Sequence, residues 1–198
     1  MKNIFVTAIG TDSGKTMVSA ILCEALRAAY WKPIQAGYPR DTETVMELAP
    51  GVKCFPEKYL LNTPASPHAA AKIDGVNISV HDFQLPGSEL TIIEGAGGCM
   101  VPINDNEFVI DIAKHLDCEI ILVSNLYLGS INHTLLTLQL LKNLPVKGII
   151  FNGVPNAESE RIILHHAKLP CLLRIEQEDR IDKERVSHYA KELLKNWK

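Results

Sequence analysis

Ile4-Phe5-Val6-Thr7-Ala8 leads into Ile9-Gly10-Thr11-Asp12-Ser13-Gly14-Lys15-Thr16 and then into a helical pattern from Met17 to Ala29. An apolar strand, a glycine-containing turn and a helix start, in that order, form a phosphate-binding loop. Backbone N–H groups at such a turn face an anion, the lysine adds a mobile positive charge, and the threonine hydroxyl can ligate Mg²⁺. The expected ligand is a nucleoside triphosphate. The usual spacing, Gly-x-x-x-x-Gly-Lys-[Ser/Thr], puts its first glycine at position 9, where this chain has Ile9 and a glycine one residue later.

Outward from this loop, short apolar runs recur at Leu90 to Glu94, Glu119 to Ser124, Gly148 to Asn152 and Leu172 to Ile175. They suit strands buried on both faces of a parallel sheet. Between them Phe108 to Leu116, Ser130 to Asn143, Glu158 to Lys168 and Lys183 to Lys195 carry apolar residues at helical spacing. Alternating strands and helices predict an α/β, P-loop NTPase-like three-layer domain, with a mostly parallel central sheet and helices on both faces. One domain over residues 1–198 is expected, with an irregular flank of short helices from Pro33 to Pro86.

Composition narrows the function classes. With 198 residues, 46% hydrophobic and 22% charged, and a formal net charge of -3, the chain lacks the basic excess that attracts nucleic acid. Five cysteines, Cys23, Cys54, Cys99, Cys118 and Cys171, lie far apart without zinc-ligand spacing and read as small buried hydrophobes in a reducing cytoplasm. Neither a signal peptide nor a membrane span is expected, because no apolar run approaches the roughly 18 residues needed to cross a bilayer.

In parallel sheets ligands gather at the carboxyl ends of the strands. There the chain places Glu94-Gly95-Ala96-Gly97-Gly98, an acid closing a strand and glycines that let backbone approach a ligand. P-loop folds put a Mg²⁺-supporting carboxylate at this position. A further segment, Trp31-Lys32-Pro33-Ile34-Gln35-Ala36-Gly37, carries a lysine that pattern alone reads as a surface residue. Asp41 opens a helical stretch through Ala49, and pattern does not separate an N-cap there from a metal ligand.

Taken together the motifs resemble the dethiobiotin synthase family of ATP-dependent cyclo-ligases. The likeness covers most of the chain. It rests on Phe5-Val6-Thr7 with Gly14-Lys15-Thr16, Lys32-Pro33-Ile34-Gln35, Pro64-Ala65-Ser66-Pro67-His68, Glu94 to Gly98, and Leu128-Gly129-Ser130-Ile131-Asn132-His133-Thr134-Leu135-Leu136-Thr137. The resemblance implies a reaction of 7,8-diaminononanoate, CO₂ and ATP with Mg²⁺ as cofactor. One amine forms a carbamate, the γ-phosphoryl group activates it, and the second amine closes the ureido ring.

The same resemblance implies residue roles. Lys32 and Lys15 are the catalytic lysines, and Thr16, Asp41 and Glu94 hold the metal. Asp12, Ser13, Gly14, Lys15, Thr16 and Met17, with Asp41, Glu94, Gly95, Ala96 and Gly97, surround ATP, while Asn152 and Gly153 face the adenine. Thr11, Lys32, Ala36 and Asn132 contact substrate, Asn132 from the partner subunit of a homodimer. Ala36 stands where the family carries a hydroxyl, Ala8-Ile9-Gly10 where it carries a glycine-threonine-acid start, and Arg174 to Asp179 where it has a Gly-Glu-Ile-Pro-like turn. Gln177 to Asp179 are the expected nucleotide-loop residues. The chemistry requires no nucleophilic triad, so His68 and His133 read as structural hydrogen-bonders and His165, His166 and His188 as surface residues of helices. A switch ATPase of the partitioning type would share the fold, but Ala8, Ile9 and Gly10 offer no lysine to reach across a nucleotide-sandwich dimer. The region from Lys183 onward is also no basic membrane helix. A cobyrinate-type amidotransferase would need a far longer chain.

Overall fold

The computed structural model describes residues 2–178 and 180–197. Its centre is β1 (Ile4–Ala8), every residue of which is buried. On one side lie β6 (Thr91–Glu94), β2 (Ala29–Trp31) and β4 (Cys54–Phe55), and on the other β7 (Glu119–Asn125), β8 (Val146–Asn152) and β9 (Cys171–Ile175). All six pairings in this sheet of seven strands are parallel. A second, two-stranded parallel sheet joins β3 (Ile34–Ala36) to β5 (Tyr59–Leu61).

The period-2 alternation of a strand divides the core into two layers. Val6, Tyr30, Ile92 and Ile121 pack with Val18, Ile21 and Leu22 of α1 (Lys15–Leu26), Val45 of α2 (Asp41–Leu48) and Val186 and Leu193 of α7 (Lys183–Asn196). Phe5, Trp31, Ile93 and Ile120 face the other way, toward Ala70 and Ala71 of α3 (Pro67–Asp74) and Val109, Ile110 and Ile112 of α4 (Val109–His115). Ile149 and Phe151 extend that second layer beneath Ile163 of α6 (Ala157–Ala167) and Leu138 of α5 (Ser130–Leu140).

The α/β reading and its five expected strands hold, and two expectations are corrected. The first helix does not run from Met17 to Ala29: it spans Lys15 to Leu26, and Ala29–Trp31 is an interior strand. Apolar spacing continues through Ala28, Ala29 and Tyr30, but Arg27 takes the left-handed conformation (φ 53) and its N–H bonds Cys23 O, stopping the helix with no glycine or proline to announce it. The flank from Pro33 to Pro86 carries β3, β4 and β5 as well as the short helices α2 and α3. Of the cysteines, Cys23, Cys99 and Cys118 are buried, whereas Cys54 and Cys171 are half-buried.

Candidate active site

The carboxyl ends of β1, β2 and β6 open on one cleft of about 760 Å³. Its floor is the loop after β1, where Asp12 (φ 56) and Gly14 (φ 90) take left-handed conformations between ordinary residues. Such alternation makes a backbone concavity for an anion. Gly14 is the residue before α1, no side chain caps that helix start, and its first turn holds no acid. The N-terminal N–H groups and the positive end of the helix dipole are thereby left to a ligand. Ser13 Oγ donates to Gly10 O (3.0 Å), and Asn152 Nδ2, at the end of β8, donates to Ser13 O (3.0 Å).

Four charged or hydroxyl side chains meet at the cleft wall. Lys32 Nζ lies 2.6 Å from Asp41 Oδ2 and 2.9 Å from Glu94 Oε1. Thr16 Oγ1 lies 3.1 Å from Asp41 Oδ1 and 3.0 Å from Glu94 Oε1. Each comes from a different element: Lys32 directly follows β2, Glu94 ends β6, Asp41 begins α2 and Thr16 sits in the first turn of α1. Burial works to lower the Lys32 proton affinity, but the Glu94 and Asp41 carboxylates outweigh it and hold the ammonium above its ordinary 10.5. Burial likewise works to raise Asp41, yet Lys32, Thr16 and Lys15 together hold its carboxyl below 3.8. Lys15 is different: burial first, and then repulsion from Lys32, push its ammonium below the ordinary value, with its Nζ resting 3.3 Å from Gly10 O.

The donor set suits a hard divalent cation. Mg²⁺ prefers oxygens and is commonly held by one or two carboxylates together with substrate phosphates, not by a full protein cage. Thr16, Asp41 and Glu94 supply one hydroxyl and two carboxylates beside the phosphate loop. Among the described residues no group of three or more His, Cys, Asp and Glu side chains forms such a cage elsewhere.

The cleft brings together Thr11, Asp12, Gly14, Lys15, Thr16, Lys32, Ala36, Asp41, Glu94, Ala96 and Gly97. Ser13 and Gly95 lie buried behind it, and Met17 is half-buried in the first turn of α1. Asn152 reaches the loop through its amide, while Gly153 (φ 100) donates its N–H to Ile175 O. Asn132 is apart from the cleft, exposed on α5. Lys32 is a buried residue, not the surface lysine that pattern alone suggested. Asp41 is not an N-cap: Arg40 holds that position and the aspartate turns into the site. His133 and His68 bond Tyr127 and Ser66, and His165, His166 and His188 are exposed. Of the loop expected at Gln177 to Asp179, Asp179 lies outside the described residues.

Sequence reasoning quoted Gln35 and Pro64 to Pro67 within motifs but gave them no role, and it passed over Tyr30 and Val101. Gln35, buried, accepts the Asp41 N–H at Oε1 (3.1 Å) and donates from Nε2 to Gly37 O (3.1 Å), tying the loop before α2 to β3. Tyr30, wholly buried, donates to Glu94 Oε2 (2.9 Å). Pro64 to Pro67 and Val101 supply cleft wall. The polar handle of a tyrosine in an apolar strand is the one local sign that could have drawn notice to Tyr30.

Comparison with known proteins agrees with this architecture. The AAA domain profile matches residues 2–185. The chain is 55% identical over 205 residues to the ATP-dependent dethiobiotin synthetase BioD of Cytophaga hutchinsonii, covering 100% of this chain and 99% of that protein. It is 45% identical to the protein of the same name from Christiangramia forsetii, covering 98% and 97%, and 41% identical to that of Brucella ovis, covering 93% and 91%. In overall shape it matches the MinC:MinD cell division complex of Aquifex aeolicus (TM-score 0.58, 13% identity, covering 98% of this chain and 95% of that one). It also matches a putative plasmid partition protein of Borrelia burgdorferi bound to AMPPNP (TM-score 0.59, 11% identity, covering 98% and 96%). At such identities these last two matches speak for the P-loop fold alone.

Proposed function

The chain belongs to the ATP-dependent dethiobiotin synthetases and is an ATP-dependent ligase of the P-loop fold, and on that premise we propose that it closes a ureido ring on 7,8-diaminononanoate with CO₂ and ATP. The observation that carries the reading is the convergence of Lys32, Asp41, Glu94 and Thr16 at the mouth of the phosphate loop. Phosphoryl transfer asks for positioning and charge more than for covalent chemistry, and this cluster provides both.

In this reading one amine of the substrate attacks CO₂, forming an N–C bond and losing a proton to give a carbamate. A carbamate oxygen then attacks the γ-phosphorus, ADP departs, and a carbamic-phosphoric anhydride remains. The second amine attacks its carbonyl carbon and gives up a proton, phosphate leaves with the electron pair of the broken C–O bond, and the ring is closed. Residues 12–17 cradle the phosphates, and Asn152 and Gly153 lie toward the base. Lys15 bridges γ-phosphate and carbamate, and Lys32 stabilises the carbamate and the developing phosphoryl charge. Thr16, Asp41 and Glu94 would hold Mg²⁺, which neutralises phosphate charge and fixes the nucleotide's orientation when bound. Thr11 and Ala36 line the cleft beside the apolar Ile34 and Val101, a surface fitted to an aliphatic chain.

Asn132 belongs to the same proposal as a contact from a second copy, because it is exposed on α5 near the exposed Leu128, Leu136 and Leu140. Among the described residues no helix is long and apolar enough to cross a membrane. The deciding measurement is ADP release with purified protein, which should require the diamine and bicarbonate together and yield dethiobiotin by mass. ATP turnover indifferent to the diamine would overturn the proposal.

A further inference from the structure

Glu94 has two carboxylate oxygens, and the fold treats them differently. Oε1 accepts from Thr16 Oγ1 and Lys32 Nζ, at 3.0 and 2.9 Å, inside the site. Oε2 accepts from Tyr30 Oη at 2.9 Å, away from it. The terminal torsion of a glutamate is soft and nearly two-fold, so nothing intrinsic to the side chain chooses which oxygen faces which way. The choice comes from the sheet.

Tyr30 lies opposite Ile92 in the β2–β6 register. Glu94, two residues beyond Ile92, therefore points to the same face, one diagonal step along the neighbouring strand. The tyrosine side chain spans that diagonal step, its hydroxyl reaching Glu94 Oε2. Lys32, two residues beyond Tyr30, emerges on the same face and reaches the same carboxylate from its other oxygen. The Tyr30 ring is held in the apolar layer with Val18, Ile21 and Ile92 and is 0% exposed, so its hydroxyl has a fixed address.

We propose that Tyr30 is a positioning residue for the Glu94 carboxylate, committing Oε2 to its own hydroxyl and leaving Oε1 as the oxygen offered to Thr16, Lys32 and the metal. The proposal rests on the reading of Thr16, Asp41 and Glu94 as the Mg²⁺ site. A phenylalanine at position 30 would fill the same space and leave the carboxylate free to turn.

The test uses Mn²⁺ as the probe, titrated into full-length enzyme with a non-hydrolysable ATP analogue. Bound metal is read from loss of the aqueous Mn²⁺ electron paramagnetic resonance signal. Tyr30→Phe should weaken Mn²⁺ binding by roughly 10-fold or more, the scale of a lost outer-shell partner. Affinity for the analogue in EDTA should stay within twofold of wild type. If the tyrosine acts through Glu94, the effect vanishes in a Glu94→Gln background, where Tyr30→Phe should change Mn²⁺ affinity less than twofold. Mn²⁺ affinity within twofold of wild type in the single variant overturns the proposal, and so does a full loss that persists beside Glu94→Gln. Should Tyr30→Phe fail to fold, 4-fluorophenylalanine incorporated at position 30, which restores the volume of the hydroxyl without its proton, is read by the same two criteria, alone and beside Glu94→Gln. Glu94→Gln with unaltered Mn²⁺ affinity overturns the metal-site reading itself, a result distinct from a silent Tyr30→Phe.

Discussion

Lys32 Nζ and Glu94 Oε1 are 2.9 Å apart, with the lysine side chain 5% exposed and the glutamate 1%. A pair enclosed to this degree is costly to break from one side, because the remaining charge keeps its desolvation penalty without its partner. Lys32→Met should lower unfolding free energy by about 3–5 kcal/mol, measured by guanidinium denaturation. Lys32→Met combined with Glu94→Gln should recover most of that loss. A single variant as stable as wild type would show that Glu94 finds another cation or sheds its charge.

Asp41 predicts an acid limb. Its carboxyl is held below the ordinary 3.8, so the associated stabilisation is complete above that value and fades as pH falls toward the lower folded one. As pH falls below 3.8 the melting temperature of wild type should fall more steeply than that of Asp41→Asn. Parallel slopes would mean that other acids carry the whole acid transition.

Lys15 predicts an alkaline limb in binding. Burial and the nearby Lys32 hold its ammonium below 10.5, so the cation is lost earlier on raising pH than from an ordinary lysine. ATP affinity measured by calorimetry should weaken as pH rises through that lowered value, and Lys15→Ala should remove the dependence. In turnover Lys15→Ala should cost on the order of 10² to 10³ in kcat, the scale of one lost preorganised donor to transition-state charge. Activity within twofold of wild type would remove the lysine from the proposed chemistry.

Gln35 predicts a local effect. Its Oε1 accepts the Asp41 N–H and its Nε2 donates to Gly37 O, both from a buried side chain. Gln35→Leu keeps the volume and leaves those groups without partners, at a cost of about 1–3 kcal/mol. Hydrogen exchange at the Asp41 amide should quicken by roughly 10-fold or more while strand β1 keeps its protection. Unchanged exchange would place the restraint on Asp41 elsewhere.

Much of this was legible in sequence, and the parts that were not share a cause. The loop from Gly10 to Thr16 and the Glu94 to Gly98 turn announce themselves because local residue types do the chemistry. Strand Ala29–Trp31 is three residues long and follows a helix with no glycine or proline between, so its apolar residues read as more helix. Asp41 and Lys32 become a pair only through the crossover that carries α2 back over the sheet, a relation with no local pattern. Tyr30 and Glu94 meet through strand order, since β2 and β6 are neighbours in the sheet although their paired positions, such as Trp31 and Ile93, are 62 residues apart in sequence. Asn132 lies outside the cleft of the single chain, where the resemblance had already assigned it to a second copy.

Asn152 Nδ2 bonds Ser13 O, and a Cβ at Gly14 would lie 2.4 Å from that same amide nitrogen. The phosphate loop is thus closed from behind by the end of β8, which sits between β7 and β9 in the sheet. During synthesis the loop leaves the ribosome well before its brace, which lies more than a hundred residues further along. Nascent chains that end before β8 should therefore bind a fluorescent ATP analogue poorly, however much of β1 and α1 has formed. Nucleotide binding should appear in step with the docking of β8, making it a late reporter of folding from a segment synthesised well before it.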